Sequence, residues 1–409
     1  MNRTLLSVLL LILCFASLAL TASNGKVHAQ ALPTPLRGYS IVIPYPGSHE
    51  DAMAAMAAIG KAATIPLSRF TFTASKDGRQ YTDVIVGQNP FAATHTPTHV
   101  KILLVPMVIH IGSQVFDSTA PNFCGGSMGH SDLQNFRGSP ILTPVTFDGG
   151  IGPGRAAKVN GVNMGTRTYN DTHRRAEFLK AIGGPASPYG TFYDVTIAPT
   201  QTISAATSAF HSAILTGSGC SLLGGLDFNF FDHYFATTVL NAVHGDPSSF
   251  VIFLMRDTVF YPGNRFNCCI LGYHGTLGNL QTYSPTDYDT SGDFGPGIVN
   301  VSIAAHEIGE WLDDPLGTNP TPPWGGIGQV GGCQGNWEVG DPLTGTDFPA
   351  IKMPNKVTYN PQENAFWSWF YSKDHDPFFQ DMTAGKKYSM NGTFRGPSKP
   401  CPPGGTFPN

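Results

Sequence analysis

Glutamate is scarce in this chain: among 409 residues only Glu50, Glu177, Glu307, Glu310, Glu338 and Glu363 occur. Basic clusters are missing too. The 24 Lys and Arg are scattered against 28 Asp and Glu, for a net charge of -4, so no stretch is built to neutralise phosphates and nucleic acid is not expected as a partner. Internal repeats and low-complexity tracts are absent. The one long apolar run, residues 5–20, is shorter than the ~20 residues a membrane-spanning helix needs, so no stable span is expected once it is removed.

That run follows Arg3 and leads into small and polar residues ending at Val27-His28-Ala29, before Gln30. This order predicts a secretory signal peptide over residues 1–29 and a secreted or periplasmic protein. Cys14 lies inside the run behind bulky Leu13 and does not fit a lipid-anchor site. Cleavage would remove Arg3 and Lys26 and no acid, taking the net charge from -4 to -6, and seven cysteines become six. An even count in an exported chain predicts up to three disulfides among Cys124, Cys220, Cys268, Cys269, Cys333 and Cys401, with the pairing open.

Apolar residues make up 41%, enough for a sizeable core, while 47 Gly and 33 Pro imply many turns and long loops. The expected class is α+β, a mixed sheet with packed helices joined by long Gly/Pro-rich loops. Two parts are expected, an N-terminal α/β part over residues 30–216 and a second part over 217–409, with the glycine-rich stretch 217–225 between them. One continuous domain over 30–409 is the alternative.

Along the chain, residues 51–63 read as an Ala/Met-rich helix. Residues 100–111 read as a buried strand in which Pro106 argues for an edge or a bulge, and His110 on it reads as structural. Residues 138–162 are turn-rich. Residues 170–182 read as a polar helix whose Arg174, Arg175 and Glu177 form a solvated face. A helix over 232–243, a second core strand over 250–261 and a loop over 262–297 follow. Helices are expected near 300–312 and 362–371, and Cys401 is expected to tie down the Pro/Gly-rich tail.

The chemistry concentrates at His306-Glu307-Ile308-Gly309-Glu310. Residues four apart share one face of a helix, so His306 and Glu310 can point at one ion. Glu307 sits about 100° round the helix, placed to take a proton from water beside that ion. With thirteen His and six Glu, chance would produce His-Glu-x-x-Glu roughly 0.003 times in such a chain. The flanking Val301, Ile303, Ala304, Ala305, Ile308, Trp311 and Leu312 predict a buried helix. Paired buried carboxylates repel one another unless a cation or a proton compensates.

A third ligand is expected from Glu338, 28 residues after Glu310, in Trp337-Glu338-Val339-Gly340-Asp341-Pro342. Asp341 is the alternative ligand or a hydrogen-bonding partner of His306. Asp313 and Asp314 end the helix before Pro315, an unfavourable place for carboxylates, which directs attention to Asp314. Glu363 is a further, weaker candidate.

This helix is similar to the His-Glu-x-x-His helix of zincin metallopeptidases, departing from it at Glu310. His306-Glu307-x-x-Glu310-x-x-x-Asp314-Pro315 also resembles, over roughly residues 250–345, the corresponding helix of secreted proteins distantly similar to the phosphate-induced (EXORDIUM-like) family. The preceding strand and the loop ending Gly272-Tyr273-His274-Gly275 share that resemblance. It implies a secreted or wall-associated role more than it implies catalysis.

Other motifs carry less. Gly125-Gly126-Ser127-Met128-Gly129 matches the serine-hydrolase elbow, but no apolar strand runs into it, so it reads as a loop. Asp287-x-Asp289-x-Ser291-Gly292 resembles the opening of a calcium loop, with Ile298 where glutamate belongs; turn chemistry accounts for it equally. His274 could stabilise an oxyanion. Trp324, Trp337, Trp367 and Trp369 could offer exposed aromatics to carbohydrate, or sit in the core.

The expected function is metal-dependent hydrolysis of an extracellular peptide or protein, with Glu307 as base and His306, Glu310 and Glu338 as ligands. Zinc is the expected ion, and a ligand set this rich in carboxylate also suits manganese or calcium. The competing expectation is a non-enzymatic extracellular or cell-wall-associated module with a structural ion.

Overall fold

The computed structural model describes residues 35–59, 63–205, 211–216, 219–373 and 387–394, with Leu32, Gly396, Ser398 and Cys401. The expected signal peptide lies outside the described residues, and residues from Leu32 onward cluster as one unit.

In chain order the elements begin with β1 (Tyr39–Ile43), α1 (His49–Ile59), a hairpin of β2 (Leu67–Thr73) and β3 (Gln80–Val86), the long β4 (Pro97–Ile111), and β5 (Gln114–Asp117). After α2 (Asp132–Arg137) come the short strands β6 (Val145–Phe147), β7 (Arg155–Ala156) and β8 (Thr166–Arg167) within the turn-rich stretch. Then follow α3 (Tyr169–Glu177), β9 (Gly190–Ile197), β10 (Gln201–Ala205), β11 (Ser212–Thr216) and β12 (Leu223–Asp227). α4 (Phe228–Tyr234) continues through a π-helical turn, Phe235–Val239, into α5 (Leu240–Ala242). β13 (Ser249–Arg256), β14 (Thr258–Tyr261), β15 (Ile270–Thr276) and β16 (Thr282–Tyr288) precede α6 (Ser302–Asp313), the hairpin β17 (Pro320–Ile327) and β18 (Val330–Asn336), the short pair β19 (Ile351–Lys352) and β20 (Thr358–Tyr359), and α7 (Trp367–Tyr371).

A curled mixed sheet of eleven strands organises the molecule, in the order β10-β4-β13-β16-β15-β14-β12-β11, with β1 added on β15 and β5 and β9 on β4. β4, β13 and β16 run parallel, whereas β15 is antiparallel to β16. Parallel strands are covered on both faces, and β13 is apolar from Phe250 to Met255 with each of these residues no more than 1% exposed. One face packs against α4 and its continuation, through Val251, Phe253, Tyr273, Phe231 and Phe235. The other packs against α6, through Phe250, Ile252, Ile308 and Trp311; the Trp311 and Phe250 rings stack 3.9 Å apart.

Several expectations change. Pro106 lies in an interior strand: β4 pairs β13 at Pro106↔Leu254. On its other side the partner β9 ends opposite Leu104 and β10 begins opposite Met107. The missing N–H falls in the gap between two partners, so no ladder bond is lost. His110 is half-buried on the same strand. The core strand foreseen over 250–261 is two strands, broken at Asp257, whose φ is +42°.

The expected loop 262–297 contains two central strands, β15 and β16, buried throughout. Their glycines disguised them. A Cβ on Gly272 would meet Ile303 Cγ2 of α6 at 2.8 Å, and one on Gly275 would meet the Tyr283 ring at 3.0 Å, so glycine marks close packing here and not a turn. The expected helix over 362–371 is the single short turn of α7.

The solvated face foreseen on residues 170–182 is also overturned, because every residue of α3 is buried. Arg174 explains why. Its guanidinium donates to Leu312 O at 2.7 Å and Val86 O at 3.1 Å and lies 3.1 Å from Asp313, so it caps the carbonyl end of α6 and neutralises the carboxylate there. Trp324, Trp337, Trp367 and Trp369 are buried rather than displayed, at most 4% exposed; the first three pack edge-on with Phe370, Phe178 and Phe72, and Trp369 stacks on Phe394. Cysteines pair as Cys124–Cys220, Cys268–Cys269 and Cys333–Cys401. Among the described residues no helix is long and apolar enough to cross a membrane.

Removing the Arg174 charge should strand Asp313 and Glu177 in the core. We expect Arg174→Met to cost about 3–5 kcal/mol in urea unfolding, with part recovered by adding Asp313→Asn. A loss under 1 kcal/mol would show that Arg174 does not anchor α6.

Candidate metal centre

α6 delivers the motif because its two polar edges meet two different neighbours. On one edge Ile303, Glu307 and Glu310 face β15, where alternation along the strand puts Gly272, His274 and Thr276 on the helix side and Tyr273 on the other. On the next edge His306 and Glu310, one turn apart, face the segment from Glu338 to Asp341. Two glycines permit the approach. A Cβ at Gly340 would lie 2.5–2.7 Å from the His306 ring, and one at Gly309 would run into the Asn364 amide.

Two groups of ligand-type atoms result around the motif, His306 with Glu310 and Asp341, and His274 with Glu307 and Glu310, while a third, His173 with Glu177 and Asp313, lies at the end of α6 beside Arg174. Glu310 belongs to both groups around the motif. His306 Nε2 is 2.9 Å from Glu310 Oε1 and 3.5 Å from Asp341 Oδ1. His274 Nδ1 is 3.5 Å from Glu307 Oε2 and 3.7 Å from Glu310 Oε2. Glu310 Oε1 also accepts the Gly340 and Asp341 N–H groups, each at 3.2 Å. All these side chains are 0–1% exposed except Asp341, at 8%.

Surrounding groups hold the ligands in place. The Gln362 amide lies 2.9 Å from His306 Nδ1 and donates to Gly340 O at 3.0 Å, turning Nε2 toward the carboxylates. His274 Nε2 is 3.2 Å from Asp314 O, which turns its Nδ1 the same way. Asp341 is gripped by Gln329 and by Gln334, the latter at 2.8 Å.

The remaining candidates separate. Burial, reinforced by the charges of neighbouring Glu310, Asp314 and Asp341, raises the pKa of Glu338 well above the usual range. Its Oε1 accepts from Asn336 at 2.6 Å, and its Oε2 has no partner among the described residues. Asp314 accepts the Thr318 and Asn319 N–H groups at 2.9–3.1 Å, so its carboxylate closes the turn after α6. Glu363 is occupied by Asn391, Ser389 and Thr393, away from both groups. Ser127 of the glycine-rich match lies in a turn.

The donor set fits a divalent cation. His306 Nε2, His274 Nδ1 and both oxygens of Glu307 are buried, and none makes a hydrogen bond of acceptable geometry among the described residues. Buried polar atoms are nearly always paired. Here they stand within ion-pair distance of one another yet misaligned for direct bonds, as ligands around a shared ion would be. Carboxylates exceed imidazoles, with Glu307, Glu310, Asp314, Glu338 and Asp341 set against His274 and His306. Burial alone would lower the pKa of both imidazoles, but the carboxylates outweigh it and hold each above the ordinary value of 6.5, His306 well above. Burial likewise raises Glu310, against the opposing pull of His306.

Sequence reasoning missed the position of His274 beside Glu307, because the strand that carries it read as a loop. It also missed Gln362 and Gly340, which only a folded register brings to His306.

A protonated His306 must release its proton to ligate a cation through Nε2. Zinc binding at pH 7 should therefore release at least one proton, and affinity should rise about tenfold per pH unit below the His306 pKa. Calorimetry in buffers of different ionisation enthalpy measures this, and pH-independent binding without proton release would contradict the assignment. No protein-family model, curated protein or solved structure matches the chain.

Proposed function

We propose that this chain is a divalent-cation-dependent hydrolase, with extracellular peptides or proteins as substrates. The observation that carries the reading is Glu307, a carboxylate 0% exposed whose two oxygens have no hydrogen-bond partner among the described residues. A structural carboxylate in a core is normally tied up by donors. A general base must instead keep an oxygen free for the water it deprotonates.

In this reading His306, Glu310 and Asp341 hold the ion, with Glu338 next to them. A bound divalent cation supplies Lewis acidity, polarising the scissile carbonyl and making water more acidic. Glu307 accepts the proton of the attacking water and returns it to the leaving amine. His274, held through Nε2 by the Asp314 carbonyl, keeps Glu307 oriented through Nδ1. Zinc suits the imidazole, and manganese or calcium suits a ligand set dominated by oxygen. A cleft of about 200 Å³ lined by Arg37, Gln329 and Thr344 lies beside Gln329, whose amide contacts Asp341, and none of its lining residues belongs to the two ligand groups.

The similarity of the helix to zincins, the apolar leader at residues 5–20 and the three cysteine pairs support export and a hydrolytic role. One observation favours a second reading: His306 and Glu310 are only 1% exposed, as expected for a closed structural ion in a wall-associated module.

One experiment separates them. The zinc- or manganese-loaded full chain is incubated with a denatured protein mixture and new amino termini are counted. Hydrolysis should occur and fall about 10²–10⁴-fold in Glu307→Gln with metal content unchanged. Chelation that lowers the melting temperature, with no new termini under any metal, would establish the structural ion instead.

A further inference from the structure

The two ligand groups around the motif use opposite oxygens of the residue they share. Glu310 Oε1 faces His306 Nε2 at 2.9 Å, whereas Glu310 Oε2 faces His274 Nδ1 at 3.7 Å. His274 Nδ1 also lies 3.5 Å from Glu307 Oε2, and His274, Glu307 and Glu310 are 0–1% exposed. The reading above gives an ion to the first group and none to the second.

The chemistry of the imidazole makes the second group more than a set of acids. His274 Nε2 is 3.2 Å from Asp314 O, and a carbonyl only accepts, so the first ring proton belongs on Nε2. Nδ1 then turns a lone pair toward two carboxylates, and only a second proton or a cation can join them. Neither Nδ1 nor either oxygen of Glu307 makes a hydrogen bond among the described residues. Their spacing is that of ligands. Donors about 2.0–2.2 Å from a tetrahedral ion stand about 3.3–3.6 Å from one another, beyond the ~2.7–3.2 Å of a hydrogen bond, and the separations from His274 Nδ1 are 3.5 and 3.7 Å.

We propose that His274, Glu307 and Glu310 form a second site for zinc or manganese, bridged to the first through Glu310, and that filling it with excess cation switches hydrolysis off. The site stands on its own geometry; the switch rests on the hydrolase reading above. With one ion present, a proton on His274 Nδ1 suffices to orient Glu307. A second ion displaces that proton and takes Nδ1, Glu307 Oε2 and Glu310 Oε2 as ligands. Glu307 Oε1 is turned to β15, where a Cβ on Gly272 would lie 3.4 Å from it, so Oε2 is the oxygen that serves either water or an ion. A cation on Oε2 occupies the lone pair that would receive the proton of the attacking water. The second ion binds more weakly than the first, because it shares Glu310 and two dications repel across one carboxylate.

The test titrates the metal-freed full chain, native and His274→Ala, with zinc and with manganese, and follows bound equivalents and hydrolysis together. The native protein should take up two equivalents, the second roughly tenfold or more weakly than the first. His274→Ala should keep the first and lose the second. Two manganese ions in the native chain should show the paramagnetic resonance of a coupled pair, since ions sharing a two-metal site stand about 3.5–4 Å apart. An ion held adventitiously at a surface histidine stays uncoupled, so this measurement decides the matter even where the variant folds poorly. Hydrolysis should fall about 10²-fold or more as the second equivalent binds. A native protein that stops at one equivalent, or whose second manganese is uncoupled, would overturn the site, as expected if a His274 imidazolium simply pairs with both carboxylates. So would a His274→Ala protein that retains the coupled pair. Hydrolysis undiminished with both ions in place would overturn the switch. A coupled pair with no hydrolysis at one or two equivalents would support the second site and overturn the hydrolase reading instead.

Discussion

An excess of buried carboxylate over buried cation governs this structure. Around α6 the chain buries Glu307, Glu310, Asp314, Glu338 and Asp341 with two imidazoles as local counter-charge. Where the fold needs a carboxylate only for structure, it supplies a dedicated partner. Arg174 spans Asp313 and the end of α6, and Glu363 is enclosed by three donors. Glu307 has only the His274 imidazole, 3.5 Å away and shared with Glu310. Buried carboxylates sharing so little counter-charge are too costly to persist without a proton or an ion.

Close backbone approach makes that arrangement possible. α6 lies against β15 and β16 only because Gly272 leaves room for Ile303, and His306 reaches its partners only because Gly340 has no side chain. The antiparallel turn from β15 to β16 sets His274 opposite Glu307, while the hairpin β17–β18 returns the chain to present Glu338 and Asp341. Sheet and hairpin therefore approach the helix from two directions, and Glu310 is the residue both reach.

The helix was legible in the sequence since its evidence is local: periodic apolar residues, and a His-Glu-x-x-Glu match in a chain nearly devoid of glutamate. Buried β13 was legible as a continuous apolar run for the same reason. β15 and β16 were not, because glycine, proline, histidine and paired cysteines signal turns when the neighbouring helix that requires small residues is unseen. α3 misled through its charges: Arg174 and Arg175 have the pattern of a solvated face, and only the carbonyl end of α6 reveals that one of them is a buried cap. Pro106 misled likewise, since a gap between β9 and β10 cannot be inferred from β4 alone. The surroundings of the site, His274, Gln362 and Gly340, depend on contacts with Glu307 or His306 across 33 to 56 positions of chain and leave no local trace.

The central claim is that the buried acids of α6 exist to hold an ion. Elemental analysis of the full chain purified with zinc and manganese present, native against Glu310→Ala, tests it most directly. The account predicts about one tightly held equivalent of transition metal in the native protein and its loss in the variant. A native protein that emerges metal-free, or a variant that retains the ion in full, would contradict it.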